Sequence, residues 1–265
     1  CFLGAICWTV RLRKRPGAFN VAMVLLMTFG LGAMHNGMVV YAVFLACLCL
    51  FWGFKFRLTR IQGKNMAMKI LSPVLIIGII IAWVNLAGDY GGATRAIMEG
   101  EGTVYLGGYR DKTSTSFDRA TYGGKLDTSS FLNFVPSAAE VFSMYMFAPL
   151  PWQIGKSVDI YAAAEGLMRA LLLTFAIYTW YRARGGLKSL WGFLLICYLS
   201  IELLWALGTS NWGTAIRHHI VAYPVLVIIG LPGLVRFVSR VFRKRRRRQF
   251  RRVQSPGRRL VGEAG

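Results

Sequence analysis

The sequence predicts an all-α fold, a polytopic transmembrane helical bundle of about six full spans and a truncated first one, with one larger external loop. Three observations carry this expectation. Apolar runs of membrane length recur along the chain, Lys/Arg clusters separate them, and only 16% of the 265 residues are charged against 55% hydrophobic. A soluble chain carries about 25% charged residues. The formal net charge is +21, from 32 Lys and Arg against 11 Asp and Glu. Nucleic-acid binders share such a charge but lack apolar runs of this length. A soluble enzyme, a disulfide-stapled secreted domain and a nucleic-acid partner are therefore excluded.

Residues 1–10 (CFLGAICWTV) read as the last turns of a membrane helix, so the chain is expected to be the C-terminal part of something longer. Arg11, Arg13, Lys14 and Arg15 follow on the cytoplasmic side. Residues 17–34 and 38–54 are apolar runs at the short end of the spanning range, joined by the turn-forming His35, Asn36 and Gly37. Lys55, Arg57, Arg60, Lys64 and Lys69 come next. Basic residues at both ends of this hairpin fit two short crossings better than one long helix. Residues 70–87 then cross outward, 160–181 inward, 189–208 outward and 220–235 inward.

The chain thus divides into an N-terminal part (1–87), an extracytoplasmic loop with an interfacial helix (88–159), three C-terminal spans (160–235) and a basic cytoplasmic tail (236–265). The cytoplasmic segments of this layout hold 24 of the 32 Lys and Arg, the external segments hold 7, and Arg169 lies within a span. That asymmetry is what the positive-inside rule expects. It orients the chain as a multi-pass membrane protein with its basic C-terminus in the cytoplasm.

Residues 88–130 are rich in Gly, Thr, Ser and Asp and hold six of the eleven acids. Gly-Gly pairs there suggest small hairpins. Residues 131–148 (FLNFVPSAAEVFSMYMFA) read as an interfacial or re-entrant helix, because another span would invert everything downstream. The cysteines, Cys1, Cys7, Cys47, Cys49 and Cys197, all fall in apolar runs without a CxxC pair and read as small hydrophobes.

The stretch GTSNWGTAIRHH, residues 208–219, places Asn211, Arg217, His218 and His219 at the outer mouth of the membrane. A guanidinium fork suits phosphate, and imidazoles beside it donate hydrogen bonds or transfer protons. Interfacial anchoring of a helix end is the plainer alternative. Adjacent His218 and His219 point apart on a helix, which argues against a metal site. In APLPWQIGKSVD, residues 148–159, Trp152 is either an aromatic-belt anchor or part of a substrate pocket, and Asp159 is a candidate general base by position.

Within the spans, Glu165 and Arg169 stand four apart and stack as an ion pair, while Glu202 is a lone carboxylate near mid-span. Intramembrane charge is either functional or a pin between helices. The tail RKRRRRQFRR, residues 243–252, follows a span directly, so anionic membrane lipids are its favoured partner over RNA or phosphorylated proteins. No Walker loop, Rossmann fingerprint, HExxH or GxSxG is present.

The order of TSTSFD, FLNFVPSAAEVFSMYMFAPLPW and NWGTAIRHH before a final span, over about residues 110–235, resembles bacterial polytopic membrane proteins of polysaccharide assembly. This is the broad group of repeat-unit polymerases and lipid-linked-sugar glycosyltransferases. The resemblance implies an external site that takes a polyprenyl-phosphate-linked sugar and transfers or polymerises it, with lipid-linked oligosaccharide and other assembly subunits as partners. Arg217 and His218 would bind the carrier phosphate, with Arg95 or Arg119 helping from the loop. The family pattern ends in Arg-His-Arg, whereas here it is Arg217-His218-His219, which removes one fixed cation. The acidic catalytic residue of such transferases sits in a first external loop, which lies upstream of Cys1 in this layout, leaving Asp89 as a stand-in. No cofactor is required, a divalent ion shared by diphosphate and carboxylates being the alternative.

Overall fold

The computed structural model describes residues 1–34, 38–58 and 124–254, with 101, 104, 107, 108, 110 and 111 of the intervening loop. The expected 70–87 span, His35, Asp89, Arg95, Arg119 and the TSTSFD run lie outside the described residues. Among those described, the fold is all-helical.

The first helix, α1 (Phe2–Lys14), ends in Arg11, Arg13 and Lys14, cations that suit the negative end of the helix dipole. Two shorter apolar helices, α2 (Ala18–Met34) and α3 (Val39–Leu58), pack with it as an N-terminal group. Next comes α4 (Phe131–Phe147), whose first turn is capped by Ser130, its hydroxyl accepting from the Asn133 N–H at 3.2 Å. A short 3-10 turn, Pro151–Gln153, leads into α5 (Ser157–Arg182), α6 (Gly185–Gly208) and α7 (Trp212–Gln254). Among the described residues, three helices are long and apolar enough to cross a membrane: α5, α6 and the Trp212–Arg243 part of α7.

The expected interfacial segment is α4, which is not among those three. Its start is open, with Leu132 83% exposed, whereas Val141, Tyr145 and Met146 near its end are buried. The last helix differs from expectation at both ends. It begins eight residues earlier than the anticipated span at 220 and continues through the basic tail to Gln254. Polarity in NWGTAIRHH resembles a loop, but Asn211 caps a helix there and His218 and His219 find partners inside the bundle. Cys1 and Cys7 are exposed on α1, whereas Cys49 and Cys197 are buried as expected.

One apolar core runs through both helix groups. At the basic end of α1, a cluster ties the N-terminal group to α6. Trp52 stacks on Phe193 at 4.4 Å between ring centroids, and its indole N–H reaches the carbonyl and hydroxyl oxygens of Ser189 at 3.2 and 3.1 Å. The Arg13 guanidinium covers the Trp52 ring at 3.9 Å and donates to the Ser189 hydroxyl. Halfway along, the Tyr41 hydroxyl donates to the Cys197 carbonyl at 3.1 Å. The ends of α1 and α3 thus share one end of the bundle with the start of α6, as the charge-derived layout expects.

Close approach of α5 and α7 depends on Gly230 and Gly233. A Cβ on Gly230 would lie 2.5 Å from the Leu172 carbonyl oxygen, and one on Gly233 would lie 2.7 Å from that of Phe175. Backbones this close gain dispersion contacts, the means by which apolar helices associate where lipid removes the hydrophobic drive. Gly230→Leu should lower stability by about 1–3 kcal/mol through overpacking. Gly186→Ala faces open space and should shift stability by less than about 0.5 kcal/mol. Thermal unfolding of both variants in detergent, followed by tryptophan fluorescence, checks the pair.

Candidate functional site

Three residues, Thr209, Ser210 and Asn211, join α6 to α7. The Asn211 side-chain oxygen accepts from the Gly213 N–H at 2.7 Å and from that of Thr214 at 3.4 Å, so it caps α7. Helix starting there puts Arg217, His218 and His219 in the second turn, about 100° apart around the axis. Their environments diverge accordingly. Arg217 is exposed, His218 half-buried and His219 fully buried.

His219 turns inward to Glu202 of α6. Its Nδ1 lies 2.6 Å from Oε2 of the carboxylate, and both residues are buried. The Tyr145 ring of α4 packs on the imidazole at 4.4 Å between centroids. Written as carboxylate and imidazolium or as acid and imidazole, the pair carries no net charge, which is what a low-dielectric interior favours. Glu202 Oε1 and His219 Nε2 are buried without a hydrogen-bond partner among the described residues. The sequence suggests Glu202 as a lone carboxylate and His219 as part of the mouth, and the structure corrects both. The signal was present. Glu202 lies six residues before the end of α6 and His219 seven after the start of α7. In a tight hairpin both are therefore about 10 Å from the turn.

His218 faces a different neighbourhood. Its ring stacks on Trp205 at 3.8 Å with an 18° interplanar angle, and Nδ1 lies 3.0 Å from the Thr209 hydroxyl. Arg217 makes no hydrogen bond or ion pair among the described residues. The mouth therefore presents an uncommitted guanidinium beside an imidazole held in a fixed orientation.

Arg110, which sequence reading only counted as an external cation, is a structural part of this mouth. It is buried, donating from Nη1 to the carbonyls of Ala206 at 3.0 Å and Thr209 at 2.6 Å, and from Nε to the Gly124 carbonyl at 3.2 Å. Those contacts close the last carbonyls of α6, which lack intrahelical donors. Gly124 takes φ +130°, a conformation that favours glycine.

Glu165 and Arg169 form the expected i,i+4 pair at 3.0 Å. Arg169 is buried and also donates from Nε to the Met146 carbonyl at 3.1 Å, pinning α5 to the end of α4. Gly166 admits that end, since a Cβ there would lie 3.2 Å from the Phe147 carbonyl oxygen. Asp159 accepts from the backbone N–H groups of Gly155 at 3.1 Å and Lys156 at 2.9 Å, capping the start of α5. Trp152 is 78% exposed in the 3-10 turn. The structure brings together Glu202 with His219 and His218 with Thr209 and Trp205.

Comparison with family models, curated proteins and solved structures finds no match for this chain. Fold and site alone define its class: among the described residues, an all-helical protein with three helices of membrane-crossing length and apolarity, whose last hairpin encloses a Glu–His pair.

Glu202→Ala strands a buried imidazole and should destabilise the fold by about 3–5 kcal/mol. With His219→Ala added, the total should fall short of the sum by about 1–3 kcal/mol. Arg217→Ala, at an exposed position, should stay within about 0.5 kcal/mol of the parent. Denaturant unfolding in mixed micelles measures all three.

Proposed function

We propose that this chain is a multi-pass protein of the bacterial cytoplasmic membrane that acts on polyprenyl-phosphate-linked sugars on the extracytoplasmic side, in glycosyl transfer or repeat-unit polymerisation for cell-surface polysaccharide. About six spans and a cytoplasmic basic C-terminus complete this proposal. The observation that carries it is the exposed, unpaired Arg217 in the second turn of a membrane-length helix, beside His218 held by Thr209 and Trp205. Departure of a sugar from a lipid diphosphate leaves negative charge on the phosphate. Arg217 offers that charge a bidentate donor, and the adjacent helix N-terminus offers a favourable dipole. His218 lies beside it in an orientation fixed by Trp205 and Thr209.

The acceptor hydroxyl needs a base. Asp159 is held by two backbone N–H groups, so that role passes in this proposal to Asp89, at the outer end of the 70–87 span. Arg95, Arg119 and Trp152 would complete the substrate surface. A flippase-like transporter is the second reading, and the buried Glu202–His219 pair favours it, because ionisable pairs inside membrane bundles mark ion and proton routes.

Native mass spectrometry of the chain with polyprenyl-diphosphate oligosaccharide tests the first reading. Arg217→Ala should weaken binding by about tenfold to a hundredfold, the loss of one charge-assisted contact, with helicity unchanged. Undiminished binding removes Arg217 from the site. A gradient-dependent flux that Glu202→Gln abolishes and Arg217→Ala spares would establish the transporter instead.

A further inference from the structure

At its far end, α7 runs into a stretch with many cations and no acids. Between Glu202 and Glu263 the sequence contains no Asp or Glu, while residues 236–259 hold 12 Arg and Lys. Those cations have no counter-ion within their own segment. Neutralisation has to come from anions outside it.

Past the Gly233 contact, α5 and α7 leave an open groove of about 530 Å³ between them, lined by Thr174, Phe175, Tyr178, Phe237, Arg240 and Val241. Its wall is apolar. Phe175 and Phe237 lie 5.4 Å apart between ring centroids, and Phe237 and Val241 are exposed. At its rim, Arg240 Nη1 donates to the Tyr178 hydroxyl at 3.0 Å, and the Arg182 guanidinium lies 5.6 Å from the centre of the same ring. A single phenol thus gathers two guanidiniums, and neither has an acidic partner among the described residues.

We propose that this groove binds one anionic phospholipid of the surrounding membrane, an acyl chain lying against Phe175, Phe237 and Val241 and the headgroup phosphate meeting Arg182 and Arg240. An apolar slot with a cationic rim matches that molecule at both ends. The chain is taken up by aromatic and aliphatic wall, and the phosphate receives the planar donors it pairs with best. A basic tail alone attracts anionic lipids diffusely, whereas the groove gives a discrete site. This proposal rests on α5 and α7 crossing a membrane and is independent of the phosphosugar reading, since Arg217 lies at the opposite end of α7.

The test is native mass spectrometry of the full chain released from micelles containing phosphatidylglycerol or phosphatidylcholine with identical acyl chains. The parent should retain one phosphatidylglycerol and little phosphatidylcholine. An Arg182→Gln, Arg240→Gln variant should lose affinity by roughly thirtyfold, the effect of two headgroup-facing cations, although its tail is untouched. Arg182→Lys with Arg240→Lys should recover most of the retention. Val241→Trp, which fills the slot and leaves every charge in place, should also release the lipid and keeps the question decidable if the Gln variant misfolds. Undiminished phosphatidylglycerol retention in both the Gln and Trp variants would assign the preference to the tail and overturn the site. Equal retention of the two lipids, or a dimer that Val241→Trp dissociates, would overturn it as well.

Discussion

Glu202 and His219 face each other across the α6–α7 hairpin at a depth where neither can be hydrated, and that constraint organises the helices around them. With the contact made at 2.6 Å, the hairpin has one register. Sliding either helix by a turn would leave a carboxylate or an imidazole buried alone. Tyr145 closes over the imidazole from α4, so the same pair also fixes where α4 lies. Arg169 then holds the end of α4 from the other side through the Met146 carbonyl. Four of the helices are thus positioned by polar contacts that an apolar medium makes obligatory.

The mouth of the hairpin follows from this placement. Because His219 points inward, its neighbours on the helix, Arg217 and His218, point elsewhere, one to the surface and one onto Trp205. Arg110 donates to the Ala206 and Thr209 carbonyls at the end of α6. This end of the hairpin is therefore fixed where His218 sits and open where Arg217 sits. At the opposite end, the Trp52, Ser189 and Arg13 cluster joins the N-terminal helices to α6, while α5 and α7 spread enough to leave a cation-rimmed groove.

Apolar run length and Lys/Arg spacing made the helical class readable from the chain, and α5 and α6 fall within a few residues of the expected spans. The i,i+4 spacing of Glu165 and Arg169 was equally legible, because the helix repeat alone brings those side chains together. Polarity misled at NWGTAIRHH. Asn211 caps the helix, His219 meets Glu202 across the hairpin and Arg217 faces the surface, so a run that looks like a loop is the first two turns of α7. Asp159 is a candidate base by its position, and its carboxylate also accepts from the backbone at the N-terminus of α5. A carboxylate at the start of a helix has the same sequence position whether it caps the backbone or takes a proton.

By itself, the sequence determined the all-helical class, the approximate limits of the long apolar helices, the separation of cationic segments from them and the Glu165–Arg169 pair. Each depends on composition or on contacts one helical turn apart, which are properties of a local stretch of chain. Only the tertiary structure decided that Glu202 meets His219, that Arg110 closes α6, that Arg217 is left free and that Arg182 and Arg240 converge on Tyr178. Those are relations between helices. They depend on which face each helix turns toward its neighbour, and that rotation is set by packing the whole bundle, Gly230 and Gly233 against α5 included.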